Sequence, residues 1–416
     1  MLVKNISNFE DKIKSYAKLI LKEGIGFQKN WGLIISCPTI APELARACSQ
    51  EAYKLGAKNV EIVWTDPYIE KDNYANNDIE ILENIVDWPQ EAKDKYKNDL
   101  ATIIIYSNDC NLFTDLNNER KEILTKNNAK IYASFKRGLE IPYTICAAAS
   151  TEWAKNVFPE LSIEDAYVEL WNKLFEVVGI TDKNDGIERW QKKKRDEKLL
   201  EQKLENFYFQ HLHITTELGT DVKIELPKKH IWFASPINYT ADGRLFSANI
   251  PTEEIFSVPT KLGTNGKIVA SRPICPASGE GAIYGASFEF KDGKVVNYDA
   301  EKGKEGLTNI FNTDKNSKYL GEIAIVPHNT PISLSGITYF LVLLDENAGC
   351  HIALGNAYSK CLKGGIKMSK QELENEGLNV AETHTDIVFG TPKTKIVGYT
   401  QSGEEILIFK DGKFQI

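Results

Sequence analysis

The apolar residues of this 416-residue chain keep two different rhythms, and the change near residue 207 is what most restricts how it can fold. Before it, short apolar runs stand at residues 31–38 (WGLIISCP), 59–64 (NVEIVW), 102–106 (TIIIY) and 129–134, separated by stretches with helical spacing. Between the first two runs Pro42 opens a segment in which Leu44, Cys48, Ala52 and Leu55 recur at helical steps, and Gly56 closes it. Strand, helix, strand in this order predicts a parallel sheet with right-handed crossovers, covered on both faces. Residues 151–204 then read as helical, with Trp153, Val157, Leu170, Trp171, Leu174 and Phe175 forming the apolar stripe. The charge-rich run at 191–206 (QKKKRDEKLLEQKLEN) mixes both signs and reads as a solvated helix.

After Phe207 the period becomes two. Residues 211–216, 222–226, 268–270, 283–290 and 405–410 alternate as half-exposed strands do, and Asp292-Gly293 and Asp411-Gly412 predict tight hairpins. Helices are expected near 307–318 and from Ser369, where Glu372 stands three residues on as in a capping box. The expected architecture is an α/β N-terminal domain with a parallel sheet, residues 1–207, followed by an α+β C-terminal domain with a mostly antiparallel sheet, residues 208–416.

Composition narrows the function. A formal net charge of -8 disfavours nucleic acid and anionic membranes as partners. No stretch approaches the ~20 apolar residues that cross a bilayer, and the N-terminal segment reads as an amphipathic helix instead of a secretion signal. The seven cysteines are scattered and include no CxxC pair, which suits a reducing, cytoplasmic setting and indicates neither a zinc knuckle nor a disulfide framework. No GxGxxG or GxxxxGK[ST] follows the early strands, and no GxSxG marks a serine nucleophile. With six histidines in all, a metal site must draw partly on carboxylates.

Four constellations in the second half offer such groups. Residues 249–259 (NIPTEEIFSVP) hold adjacent acids, Glu253 and Glu254, between a proline and an apolar pair. Two buried acids repel unless a cation or solvent relieves them. Residues 319–327 (YLGEIAIVP) set Glu322 before a strongly apolar strand. Residues 346–358 (ENAGCHIALGNAY) carry His351 and Tyr358 among small residues, as a backbone approaching a ligand requires. In residues 383–390 (THTDIVFG), His384 and Asp386 alternate on a strand, so both point to one face. Imidazole and carboxylate suit zinc, cobalt or manganese, and the combined inventory fits a two-metal hydrolytic site. His211 and His213 also share one face of an expected strand, but no acid accompanies them nearby.

The order and wording of NIPTEEIF, GEIAIVP, GCHIALGNAY and THTD resemble the successive metal-binding motifs of the thermophilic-type metalloaminopeptidases, the aminopeptidase T and aminopeptidase S family. AYKLGAKNVEIVW, TEWAKNVFP and GTDVKIEL extend the resemblance along the chain. It implies metal ligands at Glu253, Glu322, His351, Tyr358, His384 and Asp386, with Glu322 bridging two divalent ions (zinc, cobalt, manganese or magnesium) in each subunit. It further implies catalytic roles for Glu253, Glu254 and Tyr358: Glu254 supporting the ligands or carrying a proton, Tyr358 ligating or hydrogen-bonding the developing oxyanion. A homodimer acting on short peptides with a free N-terminus is also implied.

Two other readings predict different chemistry. A ring-cleaving dioxygenase on a related fold would hold one iron with open positions, and the number of acids counts against it. A peptide-binding protein without activity would bind and not turn over.

Overall fold

A computed structural model describes residues 2–83, 99–107, 109–136, 141–276, 279 and 281–416. It divides into two compact units that interleave along the chain. The first comprises residues 1–112, 131–195 and 235–252; the second comprises 113–130, 196–234 and 253–416. The domain boundary read from the change in rhythm, at 207 and 208, falls a little beyond the division between Arg195 and Asp196, inside the second unit.

The first unit is built on a five-stranded sheet in the order Asn249–Ile250, Tyr143–Ala147, Leu100–Tyr106, Gly32–Pro38, Asn59–Thr65. Every pairing in it is parallel. The central strands are buried along most of their length and read as near-continuous apolar runs, as strands covered on both faces do. One expected strand is corrected. Residues 129–134 belong to the helix Asn118–Lys136, and the fourth strand of the chain is Tyr143–Ala147. A short apolar run cannot be told from a helix by periodicity alone; here the polar stretch before it carries the helix through without a break, starting where the Asn117 side chain accepts from the Arg120 N–H.

The second unit holds two antiparallel sheets. The larger has eight strands in the order Lys294–Asp299, Ser287–Lys291, Thr264–Val269, Asp221–Glu225, Phe209–Thr215, Lys395–Thr400, Glu405–Lys410, Lys413–Phe414. Both Asp-Gly hairpins are present, and Asp292 and Gly293 take φ of 49° and 79°, the left-handed pair that a two-residue turn requires. The smaller sheet orders His384–Val388, His351–Gly355, Leu320–Ile325, Ile255–Ser257 and Phe233–Ala234. Ile255, Ile323, Ile325, Ile352, Leu354 and Ile387 of this sheet, with Phe389 just beyond it, join one buried cluster with Phe209, Ile214, Phe288 and Ile396 of the larger one. Truncating such a residue to alanine costs about 2–5 kcal/mol. That core fixes which face of the smaller sheet is left for chemistry.

The helix after Ser369 carries its capping box: the Ser369 side chain accepts from the Glu372 N–H, and the Glu372 carboxylate accepts from the Ser369 N–H. The other expected helix is shorter than 307–318 and spans Lys304–Asn312, because the Asp314 side chain takes up the Asn316 N–H in a turn. Among the described residues no helix is long and apolar enough to cross a membrane.

Candidate metal centre

Alternation along the smaller sheet sorts its side chains. In the register Glu322 lies opposite Ala353, and Ala353 opposite Asp386. One step along, Gly355 faces His384; in the other direction Ala324 faces His351, which faces Val388. Directly opposed residues share a face, so Glu322, His351, His384 and Asp386 all project to the side away from the large apolar core. The residues between them are small. At Gly355, with φ of 108°, an added Cβ would lie 2.2 Å from the Thr383 carbonyl oxygen, so the backbone beside His384 tolerates no side chain.

The adjacent acids separate by the same rule. Phe256 lies opposite Ala324 and shares its face; two residues back, Glu254 continues the alternation toward the site, while Glu253 is out of phase. Side-chain positions agree. Donor atoms of Glu254, Glu322 and His351 lie within 4.8 Å of one another, as do those of Glu322, His384 and Asp386, with Glu322 common to both groups. Glu253 is in neither group; its backbone N–H donates to the Asn347 side chain at 2.6 Å.

The distances are short. His351 Nε2 stands 3.0 Å from Glu254 Oε2 and 3.6 Å from Glu322 Oε1. His384 Nε2 stands 3.4 Å from both Glu322 Oε2 and Asp386 Oδ1. The other nitrogen of each ring faces a backbone carbonyl: His351 Nδ1 lies 3.3 Å from Gly349 O, and His384 Nδ1 lies 2.9 Å from Asn356 O. Each ring thereby turns Nε2 into the cluster, the orientation metal-ligating histidines adopt.

Burial makes the cluster costly without a cation. Glu254, Glu322 and His351 are buried, and His384 and Asp386 half-buried. Burial acts to raise the Glu322 carboxyl, but hydrogen bonds from His351 and His384 and their positive charge outweigh it and hold it at about 2. His351 is disfavoured as a cation by burial, yet Glu254 and Glu322 raise its proton affinity well above the usual range. Glu254 Oε2 accepts no well-aligned hydrogen bond from any described group despite its closeness to His351. A buried carboxylate oxygen left without a well-aligned donor beside His351 is what a cation held between the two residues would satisfy. The donor set fits divalent ions.

A further acid, Glu346, went unread in the sequence as a site residue. Burial, then the charges of Asp386 and Glu254, push its carboxyl well above the usual range. With Asp386 it lines a small pocket formed by Pro273, Ile274, Val342 and Val388. It opens the short helical turn Glu346–Ala348, which carries neither period two nor a helical stripe, so only its place five residues before His351 could have marked it.

The Tyr358 ring packs 4.8 Å from the His384 ring and 5.6 Å from Phe256. His211 and His213 lie elsewhere, on the larger sheet. His211 stacks on Tyr399 at 4.5 Å, and the neighbouring strand brings Asp221 Oδ1 within 2.7 Å of His213 Nε2. That exposed pair has its acid from a residue eight positions away, across the hairpin.

Known proteins resemble this chain over nearly its whole length. Residues 9–414 match the profile of the thermophilic metalloprotease (M29) family. Aminopeptidase AmpS of Bacillus subtilis (strain 168) is 33% identical over 98% of this chain and 100% of its own length. Aminopeptidase T of Thermus aquaticus is 29% identical over 98% of this chain and 99% of its own. The structure of wild-type AmpT from Thermus thermophilus superposes with a TM-score of 0.87 at 29% identity, covering 98% of this chain and 100% of that one. A 2,5-dihydroxypyridine dioxygenase from Pseudomonas putida KT2440, at 14% identity and a TM-score of 0.51, shares the fold alone.

Proposed function

The chain belongs to the thermophilic metalloprotease family M29 and is a metalloaminopeptidase, and from that premise we propose that it releases N-terminal residues from short peptides at a centre that would hold two divalent ions through two donor groups sharing Glu322. The observation that carries the proposal is the sharing of Glu322 between two donor groups, one with Glu254 and His351, the other with His384 and Asp386. A single ion, as a ring-cleaving dioxygenase would need, leaves one of these groups without a purpose.

Glu254 takes the role that the motif resemblance gave to Glu253, because it alone of the two stands with His351. Glu346 joins the set, since the repulsion it feels from Asp386 and Glu254 is what a cation would relieve. When bound, the ions would polarise the first peptide carbonyl and acidify a water molecule. The residues do the rest. The carboxylates orient the substrate's free α-amino group and take the proton that the attacking water gives up. As the carbon–oxygen bond forms and the carbon–nitrogen bond breaks, that proton passes to the leaving amine. The Tyr358 hydroxyl donates toward the oxygen on which negative charge develops.

The test is a panel of aminoacyl chromogenic substrates assayed after metal removal and separate re-addition of zinc, cobalt, manganese and magnesium. Restoration of turnover by one or more ions is expected. Undiminished turnover in protein shown by elemental analysis to be metal-free would remove the proposal.

A further inference from the structure

Beside the metal centre the same unit builds a box of three aromatic rings. Phe233 and Phe256 oppose each other across neighbouring strands, their rings 5.7 Å apart. Tyr358 meets Phe256 edge-on at 5.6 Å. Into this box reaches a lysine: Lys360 Nζ lies 4.3 Å from the centre of Phe233, 5.0 Å from Phe256 and 5.3 Å from Tyr358. All three are within the ~6 Å over which an aromatic face attracts a cation.

We propose that Lys360 is a positioning residue of the metal centre, its ammonium pinning the Tyr358 ring against His384 and holding a fixed positive charge beside the acids. The proposal rests on the metalloaminopeptidase reading and adds a charged group that none of the four motifs contains.

The backbone places the lysine firmly. It sits in the helical turn Ser359–Cys361, where the Cys361 N–H donates to Tyr358 O at 3.0 Å. Cys361 O in turn accepts from the Ile231 N–H at 2.8 Å, tying the turn to the segment that leads into Phe233. Apolar side chains pack around the turn: Phe256, Val258, Ala357, Cys361 and Leu362 are buried together, with Met368 and Leu373 against them. A methionine or leucine would fill this place at no electrostatic cost, so a cation here needs a counterweight. The rings supply part of it. The charges of Glu322 and Glu254 act in the same direction, against burial, which leaves the proton affinity of Lys360 below its usual value.

Two consequences of that charge have opposite signs. A cation near the acids repels incoming divalent ions and so weakens their binding. The same cation favours the transition state, in which the peptide carbonyl oxygen gains negative charge. Through Tyr358, whose ring is 4.8 Å from His384, it also limits where the tyrosine hydroxyl can point.

The experiment compares Lys360→Met, which keeps the packing and loses the charge, with Lys360→Arg, which keeps the charge. Zinc affinity of the stripped protein is read by competition with a chromophoric chelator, and kcat and KM with an aminoacyl p-nitroanilide. For Lys360→Met we expect zinc bound about 3–10-fold more tightly, kcat lower by about 10–100-fold, and KM changed little. Lys360→Arg should stay within about threefold of wild type in all three, since an arginine also stacks on aromatic faces. If Lys360→Met binds zinc with unchanged or weaker affinity, or keeps wild-type kcat, the lysine merely packs and the proposal fails. Should that variant not fold, by circular dichroism, Lys360→Gln carries the same measurements. If the wild-type protein cleaves no aminoacyl substrate, the aminopeptidase reading falls, while the zinc competition still reports on the charge of Lys360.

Discussion

Glu322 and Asp386 lie in one row of the smaller sheet with only Ala353 between them, the three residues paired across neighbouring strands. The methyl group is what leaves room for the two acids to converge with His384. Ala353→Leu should push side-chain bulk into that row. The expected outcome is loss of bound metal and of turnover, with destabilisation of about 1–3 kcal/mol from overpacking. Elemental analysis and chemical denaturation measure the two effects, and normal metal content in the folded variant would contradict the assigned row.

His384→Ala and Asp386→Ala are each expected to abolish catalysis in a folded protein, whereas His213→Ala changes little. Removing one group that stabilises transition-state charge costs about 10²–10³ in rate, while His213 pairs only with Asp221 on an exposed surface of the other sheet. Turnover and bound metal for the three variants, with circular dichroism as the folding control, decide the matter.

Glu254→Gln and Glu253→Gln separate the adjacent acids. Glu254 stands 3.0 Å from His351, so its substitution should lower kcat by about 10²–10³ and reduce metal occupancy. Glu253→Gln should leave the metal content intact. Equal loss in both would mean that the alternation of the strand does not extend back to residue 254.

Peptides with an acetylated N-terminus should not be cut, because blocking removes the positive charge that the acids of the site are proposed to hold. Cleavage of acetylated and free peptides at similar rates, followed by mass spectrometry, would contradict exopeptidase action.

Proton competition sets the pH dependence of the stripped protein. His351 is raised above its usual value, so its attraction to Glu254 and Glu322 contributes stability that is complete below about pH 6.5 and is lost as pH rises through its raised value. Glu322 is depressed to about 2. Its contribution is present above about pH 4.3 and is lost as pH falls through that depressed value. Zinc must displace the His351 proton, so affinity should climb with pH through neutrality. Titration calorimetry at several pH values checks this, and a flat profile would argue that His351 is neutral before metal binds.

Much of this was legible in the chain because local chemistry and tertiary structure agree. The Asp-Gly turns became hairpins, the Ser369 capping box formed, and His384 and Asp386 share a strand face as their spacing requires. What escaped was information held in register. Glu253 and Glu254 differ only in phase relative to a three-residue strand, Ile255–Ser257, too short to announce its alternation behind Pro251. Glu346 lies in a single helical turn without periodicity, and Lys360 acquires its meaning from Phe233, far away in sequence. Asp221, eight residues from His213, reaches it only once the hairpin lays their strands side by side.

The donors of the metal centre come from four separate segments, spread from Glu254 to Asp386, and they meet only when antiparallel strands distant in sequence have aligned. Pairings of that kind form late, because loop-closure entropy is lost before the contacts compensate. A chain emerging from synthesis therefore has no preformed place for an ion until this sheet has closed. On the proposed reading, a partly folded chain would lack the full donor set, so hydrolysis would require the sheet that carries it to be complete.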